Sequence, residues 1–60
     1  MILKLGSKGE QVKLLQAKLG LTVDGNFGPK TEQAVKDFQK VNNLKVTGQI
    51  DTDTLNKLMV

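Results

Sequence analysis

In V-D-G-N-F-G-P-K-T, residues Val23 to Thr31, a turn, an apolar anchor and a helix start follow one another within nine residues. Asp24-Gly25 is a turn dipeptide, and Phe27 is one of only two aromatic residues in the chain. Gly28-Pro29 sets an N-cap before proline at the first helical position, where its missing N–H costs nothing. The same signal returns in V-T-G-Q-I-D-T-D-T, residues Val46 to Thr54, with Ile50 in the place of Phe27 and Asp51 in that of Gly28.

Upstream, Ile2 to Leu5 forms a short apolar lead, and Ser7 with Glu10 reads as an S-x-x-E capping box. The spacing predicts a helix over about 8–19, in which Val12, Leu15 and Leu19 form an apolar stripe widened by Leu14 and stopped by Gly20. Leu21-Thr22-Val23 reads as an extended connector into the Asp24 turn. A second helix is predicted over about 29–42, with Ala34, Val35, Phe38 and Val41 on its apolar side and Asn42-Asn43 at its end. Leu44-Lys45-Val46 repeats the connector and Thr47-Gly48 the turn. Asp51 then caps a last helix over about 52–59 whose inward residues are Leu55, Leu58 and Met59.

Shifting the sequence by 23 places lays Val12 on Val35, Lys13 on Lys36, Gln16 on Gln39, Leu21 on Leu44, Val23 on Val46, Gly25 on Gly48 and Thr31 on Thr54. The expected architecture is all-α: one compact three-helix domain over residues 1–60, built from an internal repeat with short extended connectors. Its expected core is Leu3, Val12, Leu15, Leu19, Leu21, Phe27, Val35, Phe38, Leu44, Ile50, Leu55 and Leu58.

Composition narrows the chemistry. Sixty residues lie near the lower limit for an independently stable core, and the absence of cysteine removes both disulfides and thiolate metal sites. The absence of histidine removes the commonest general base and transition-metal ligand. Asp24, Asp51 and Asp53 each have a use at a turn or helix start, so no catalytic residue, metal site or cofactor is indicated. The net charge of +3 comes from nine lysines spread among six acids, a mildly basic surface and not a focused patch. A helix that opens with Asp51 and Asp53 would repel phosphates, which argues against nucleic acid. No apolar run approaches the ~18–20 residues of a membrane span. The amino terminus has no signal-peptide pattern, so any export would be directed from elsewhere, and the chain reads either as a segment of a longer protein or as the first domain of one.

Three motifs carry a family likeness. They are L-x-x-G-x-x-G-x-x-V-x-x-L-Q-x-x-L from Leu3 to Leu19, D-G-x-F-G-P-x-T-x-x-A-V-x-x-F-Q from Asp24 to Gln39, and L-x-V-x-G-x-I-x-x-x-T-x-x-x-L from Leu44 to Leu58. The chain resembles the peptidoglycan-binding domain family, the three-helix module attached to bacterial and phage cell-wall hydrolases. It departs from the family pattern at Thr47-Gly48, where aspartate-glycine is usual, and at Asp51-Thr52, where glycine-proline is usual.

The resemblance implies a non-catalytic module that binds peptidoglycan, through its glycan, its stem peptide or both, and anchors a tethered wall-degrading domain. It also implies an extracellular or cell-wall location, in a bacterial or phage-encoded protein, as a monomer. A module of the same fold that docks a protein or another polysaccharide is the alternative. The candidate ligand-binding residues are Asp24, Gly25, Asn26, Lys30, Thr31, Gln16 and Gln39. Asp24, Gly25 and Thr31 can be explained by the turn and the helix start alone, Gly25 more so than Asp24, whereas Asn26 and Lys30 are needed by neither and are the better contact candidates. Gln16 and Gln39 sit at the edge of the apolar stripes, where a glutamine would satisfy loop backbone. Lys8, Lys13, Lys36 and Lys40 read as solvated faces.

Overall fold

The computed structural model describes residues 3–59, without the side chain of Met59. The expectations placed on Ile2 and on the Met59 side chain lie outside the described residues. Three helices follow one another: α1 (Glu10–Leu19), α2 (Pro29–Val41) and α3 (Thr52–Met59). The connectors among the described residues form no strand; they meet other segments only in isolated antiparallel bridges, Leu3 with Ile50 and Lys8 with Asn26.

These bridges correct the expected start of α1. Before the helix begins, the chain runs alongside the first turn: Gly6 N–H donates to Phe27 C=O at 2.9 Å, Phe27 N–H to Ser7 C=O at 2.9 Å, and Gly9 N–H to Gly25 C=O at 3.1 Å. That path needs φ of 95° at Gly6 and 118° at Gly9, which glycine tolerates. The helix therefore starts at Glu10 behind Gly9, with no side-chain cap. The capping box does not form, because the Ser7 hydroxyl instead accepts the Lys4 N–H at 3.0 Å. The lead segment thus holds both turns, one through Phe27 and the other through Ile50.

The ends of α1 and α2 are alike. Gly20 N–H donates to Ala17 C=O and Leu21 N–H to Gln16 C=O; Asn43 N–H donates to Lys40 C=O and Leu44 N–H to Gln39 C=O. Each is a Schellman closure, with Gly20 at φ 75° and Asn43 at φ 58° as the left-handed residue. At α3 the Asp51 carboxylate accepts the Thr54 N–H at 2.9 Å, the N-cap the sequence predicts.

The buried apolar cluster is Leu3, Val12, Leu15, Phe27, Val35 and Ile50, with Leu19, Leu55 and Leu58 packed partly against it. Four polar residues are buried as well: Gln16 is 1% exposed, Thr31 is 4% exposed, and Gln39 and Thr54 are fully buried. On α2 the inward line is Thr31, Val35 and Gln39, at four-residue spacing. Phe38 lies about 60° from Val35 around the helix and is only half-buried, as are Leu21 and Leu44 on the connectors. Val41, about 120° from Val35, is 80% exposed. Leu14 does not widen the buried stripe of α1; it lies about 160° around the helix from Val12 and is 58% exposed.

Candidate functional site

The first turn is built on Gln16. Its Oε1 accepts the N–H groups of Asp24 and Gly25, both at 3.0 Å. Its Nε2 donates to Asp24 Oδ1 at 2.8 Å, to Asn26 C=O at 2.8 Å and to Thr31 Oγ1 at 3.2 Å. Because the Gln16 carbonyl also closes α1, one residue fixes the helix end by its backbone and the following turn by its side chain. Asp24 Oδ1 additionally accepts the Asn26 N–H at 2.9 Å. That hydrogen bond first, then the one from Gln16, holds the Asp24 carboxyl below its ordinary value of 3.8.

The second turn has the same construction 23 residues on. Gln39 Oε1 accepts the N–H groups of Thr47 at 2.9 Å and Gly48 at 3.0 Å. Gln39 Nε2 donates to Thr47 Oγ1 at 3.2 Å, Gln49 C=O at 2.8 Å and Thr54 Oγ1 at 3.0 Å. Thr47, which replaces Asp24, takes the Gln49 N–H on its hydroxyl at 3.2 Å. Among the described residues no buried side-chain nitrogen or oxygen lacks a partner, so both amides are fully engaged.

Two lysines have an unexpected place. A Cβ on Gly25 would lie 3.2 Å from Lys13 Cε, and one on Gly48 would lie 3.0 Å from Lys36 Cε and 3.2 Å from Glu32 Cγ. Lys13 and Lys36 are therefore more than solvated faces, because their aliphatic stems cover the turn glycines. Both glycines also have positive φ, 76° at Gly25 and 77° at Gly48.

In front of the first turn, Asp24, Asn26, Gly28, Pro29, Lys30 and Thr31 line an open pocket of about 400 Å³. Asp24, Asn26 and Lys30 are exposed there, whereas Gly25 is buried and Thr31 is 4% exposed. The structure thus gathers Asn26, Lys30 and Asp24 at one opening. It places Gln16 and Gln39, also among the contact candidates, buried beneath the turns, with their amides hydrogen-bonded to the turns themselves. Every donor and acceptor of each amide already faces backbone or a neighbouring side chain.

A second cavity, of about 240 Å³, lies between α1 and α3, floored by Leu3, Leu15 and Ile50 and flanked by Leu14, Leu55 and Leu58. Sequence reasoning missed it. The signal was present in Gln11, Leu14 and Lys18, a line on α1 beside the core stripe that ends up on the groove's rim.

The family model described as "Putative peptidoglycan binding domain" matches residues 8–58. The chain belongs to this family. In a solved structure, a fused zinc-dependent amidase/peptidase/peptidoglycan-binding domain-containing protein of Clostridium acetobutylicum, 43% identical, superposes on this peptidoglycan-binding domain with a TM-score of 0.94, over 97% of the domain and 28% of that chain. The N-terminal domain of SleB, 32% identical, gives a TM-score of 0.95 over 98% of this domain and 89% of that chain. The zinc D-Ala-D-Ala carboxypeptidase of Streptomyces albus G is 38% identical over 61 aligned positions, covering 88% of this domain and 24% of the carboxypeptidase. The domain therefore spans about a quarter of the length of that curated relative. Among the described residues no helix is long and apolar enough to cross a membrane.

Proposed function

We propose that this peptidoglycan-binding domain is a non-catalytic anchor that holds a tethered wall-degrading domain against the bacterial cell wall, and that its contact surface is the opening at the start of α2. The observation that carries this reading is the pocket itself. Asn26, Lys30 and the free side of Asp24 surround it, on a turn fixed from behind by Gln16. Peptidoglycan offers acetamido groups, hydroxyls and stem-peptide carboxylates, which match an amide, an ammonium and a carboxylate. Weak affinity at one such opening suffices, because a polymer with many equivalent sites and a tethered enzyme raises the local concentration of catalyst. The setting is the outside of a bacterial cell, with the domain acting as a monomer and nucleic acid having no role.

The test is co-sedimentation of the purified domain with insoluble peptidoglycan stripped of other polymers, beside chitin and cellulose, at low and moderate salt. Selective pelleting is expected, with Asn26→Ala and Lys30→Ala each weakening it by about threefold to tenfold while leaving the melting curve unchanged. Pelleting that is equal on all three polymers, or untouched by both substitutions, would remove this surface from consideration. The apolar groove between α1 and α3 favours a second reading, docking of a protein segment. In that case Leu14→Lys, at the groove rim, would abolish partner binding, and salt would have little effect.

A further inference from the structure

The two turns share one scaffold but differ at one position that nothing in the fold explains. Gly28 has φ −100° and ψ −172°, extended backbone open to any residue. A Cβ there would meet nothing within 4 Å. Glycine at this place is required neither by conformation nor by packing. It also leaves α2 without the side-chain cap that aspartate, serine or asparagine supplies. At the equivalent position of the second turn stands Asp51, whose carboxylate accepts the Thr54 N–H at 2.9 Å. The Thr31 N–H has no such acceptor from position 28.

We infer that Gly28 is a specificity-determining residue: its missing side chain keeps the first turn open to an oxygen-bearing group of the wall polymer, while Asp51 closes the second turn. The domain then has one wall contact and not two, despite its two alike turns. This rests on the wall-binding reading above and adds to it which turn binds and why. The bare helix start is not itself the site. The site is the space bounded by Asp24, Asn26, Pro29 and Lys30, and Gly28 decides whether that space exists. The second turn differs in the same sense elsewhere, since Asp53 stands where Lys30 does and Thr47 where Asp24 does. The paired charges that surround the first opening are absent from the second.

Gly28→Asp transplants the closed arrangement onto the first turn. Because the new carboxylate can accept the Thr31 N–H, the variant is expected to melt about 1–3 °C higher than the parent. Its pelleting with peptidoglycan is expected to be about tenfold weaker. A residue whose role was only structural would not improve stability and lose binding together. Gly28→Asn fills the same space without charge and separates lost room from added repulsion; it too is expected to bind about tenfold more weakly. Asp51→Gly, which removes the cap of α3, is expected to lower the melting temperature and leave pelleting unchanged.

Wild-type pelleting by Gly28→Asp and Gly28→Asn would overturn the inference, as would weakened pelleting by a folded Asp51→Gly. A parent domain that does not pellet at all would remove the wall-binding reading and this inference with it. Pelleting retained in the Gly28 variants leaves that reading standing and removes only the role given to Gly28.

Discussion

Gln39 shows how much can rest on one side chain in a chain of sixty residues. Its Oε1 holds the N–H groups of Thr47 and Gly48, and its backbone carbonyl closes α2. Replacing it with leucine keeps the volume but strips two turn N–H groups of their acceptor, and each buried orphan costs about 1–3 kcal/mol. Gln39→Leu is therefore expected to lose at least about 2 kcal/mol of unfolding free energy, measured by urea titration, even though it makes the core more apolar. A variant as stable as the parent would mean that water replaces the amide. The sequence exposes the candidates without ranking them. Glutamine is ordinarily a surface residue, and only the covering of its helix face by the following turn turns Gln16 and Gln39 into buried scaffolding.

At the scale of the elements, local signals decided most of the boundaries. Proline at the first position of α2, the left-handed Gly20 and Asn43, and the Asp51 cap all act within four or five residues, and each stands where the sequence places it. The start of α1 is the exception. Ser7 and Glu10 have the spacing of a capping box, but the lead segment pairs with the first turn and turns the Ser7 hydroxyl toward Lys4. A tertiary backbone pairing displaced a local cap.

The two capping or turn-forming carboxylates also set a pH dependence. Asp51 is lowered first by the Thr54 N–H and then by the Thr54 hydroxyl, and Asp24 by the Asn26 N–H and then by Gln16, both from 3.8. A carboxyl whose folded pKa lies below its unfolded value adds stability that is complete above the unfolded value and is lost as pH falls through the folded one. Stability is thus expected to be flat with respect to these two groups above about pH 5 and to decline below about pH 4. Asp51→Asn should make that decline shallower in acid melts followed by circular dichroism, and an unchanged acid profile would show that the Thr54 bonds do not persist in solution.

For the whole molecule, size is the governing constraint. A chain this short cannot surround all of its apolar residues, so twelve core expectations resolve into six buried residues, three that pack partly against them, and three left half-exposed. The two phenylalanines divide accordingly. Phe27 is 2% exposed, and Phe27→Ala is expected to cost about 3–5 kcal/mol, enough to unfold a domain of this size. Phe38→Ala, at the edge of α2, is expected to cost clearly less, and equal losses in thermal melts of the two variants would contradict the burial described here. The groove between α1 and α3 has the same origin, since among the described residues three short helices leave this seam uncovered.

Periodicity, turn dipeptides and caps were enough to define three helices, their order, the two alike turns and the family likeness, because each of these signals is read within a few neighbouring residues. What only the tertiary structure decided was which face of each helix is covered. It buried Gln16 and Gln39, exposed Leu14 and Val41, laid the Lys13 and Lys36 stems over the turn glycines, and left open space at Gly28, whose counterpart Asp51 caps α3. Burial depends on what packs above a residue, and the packing partners of these residues lie eight or more positions away along the chain.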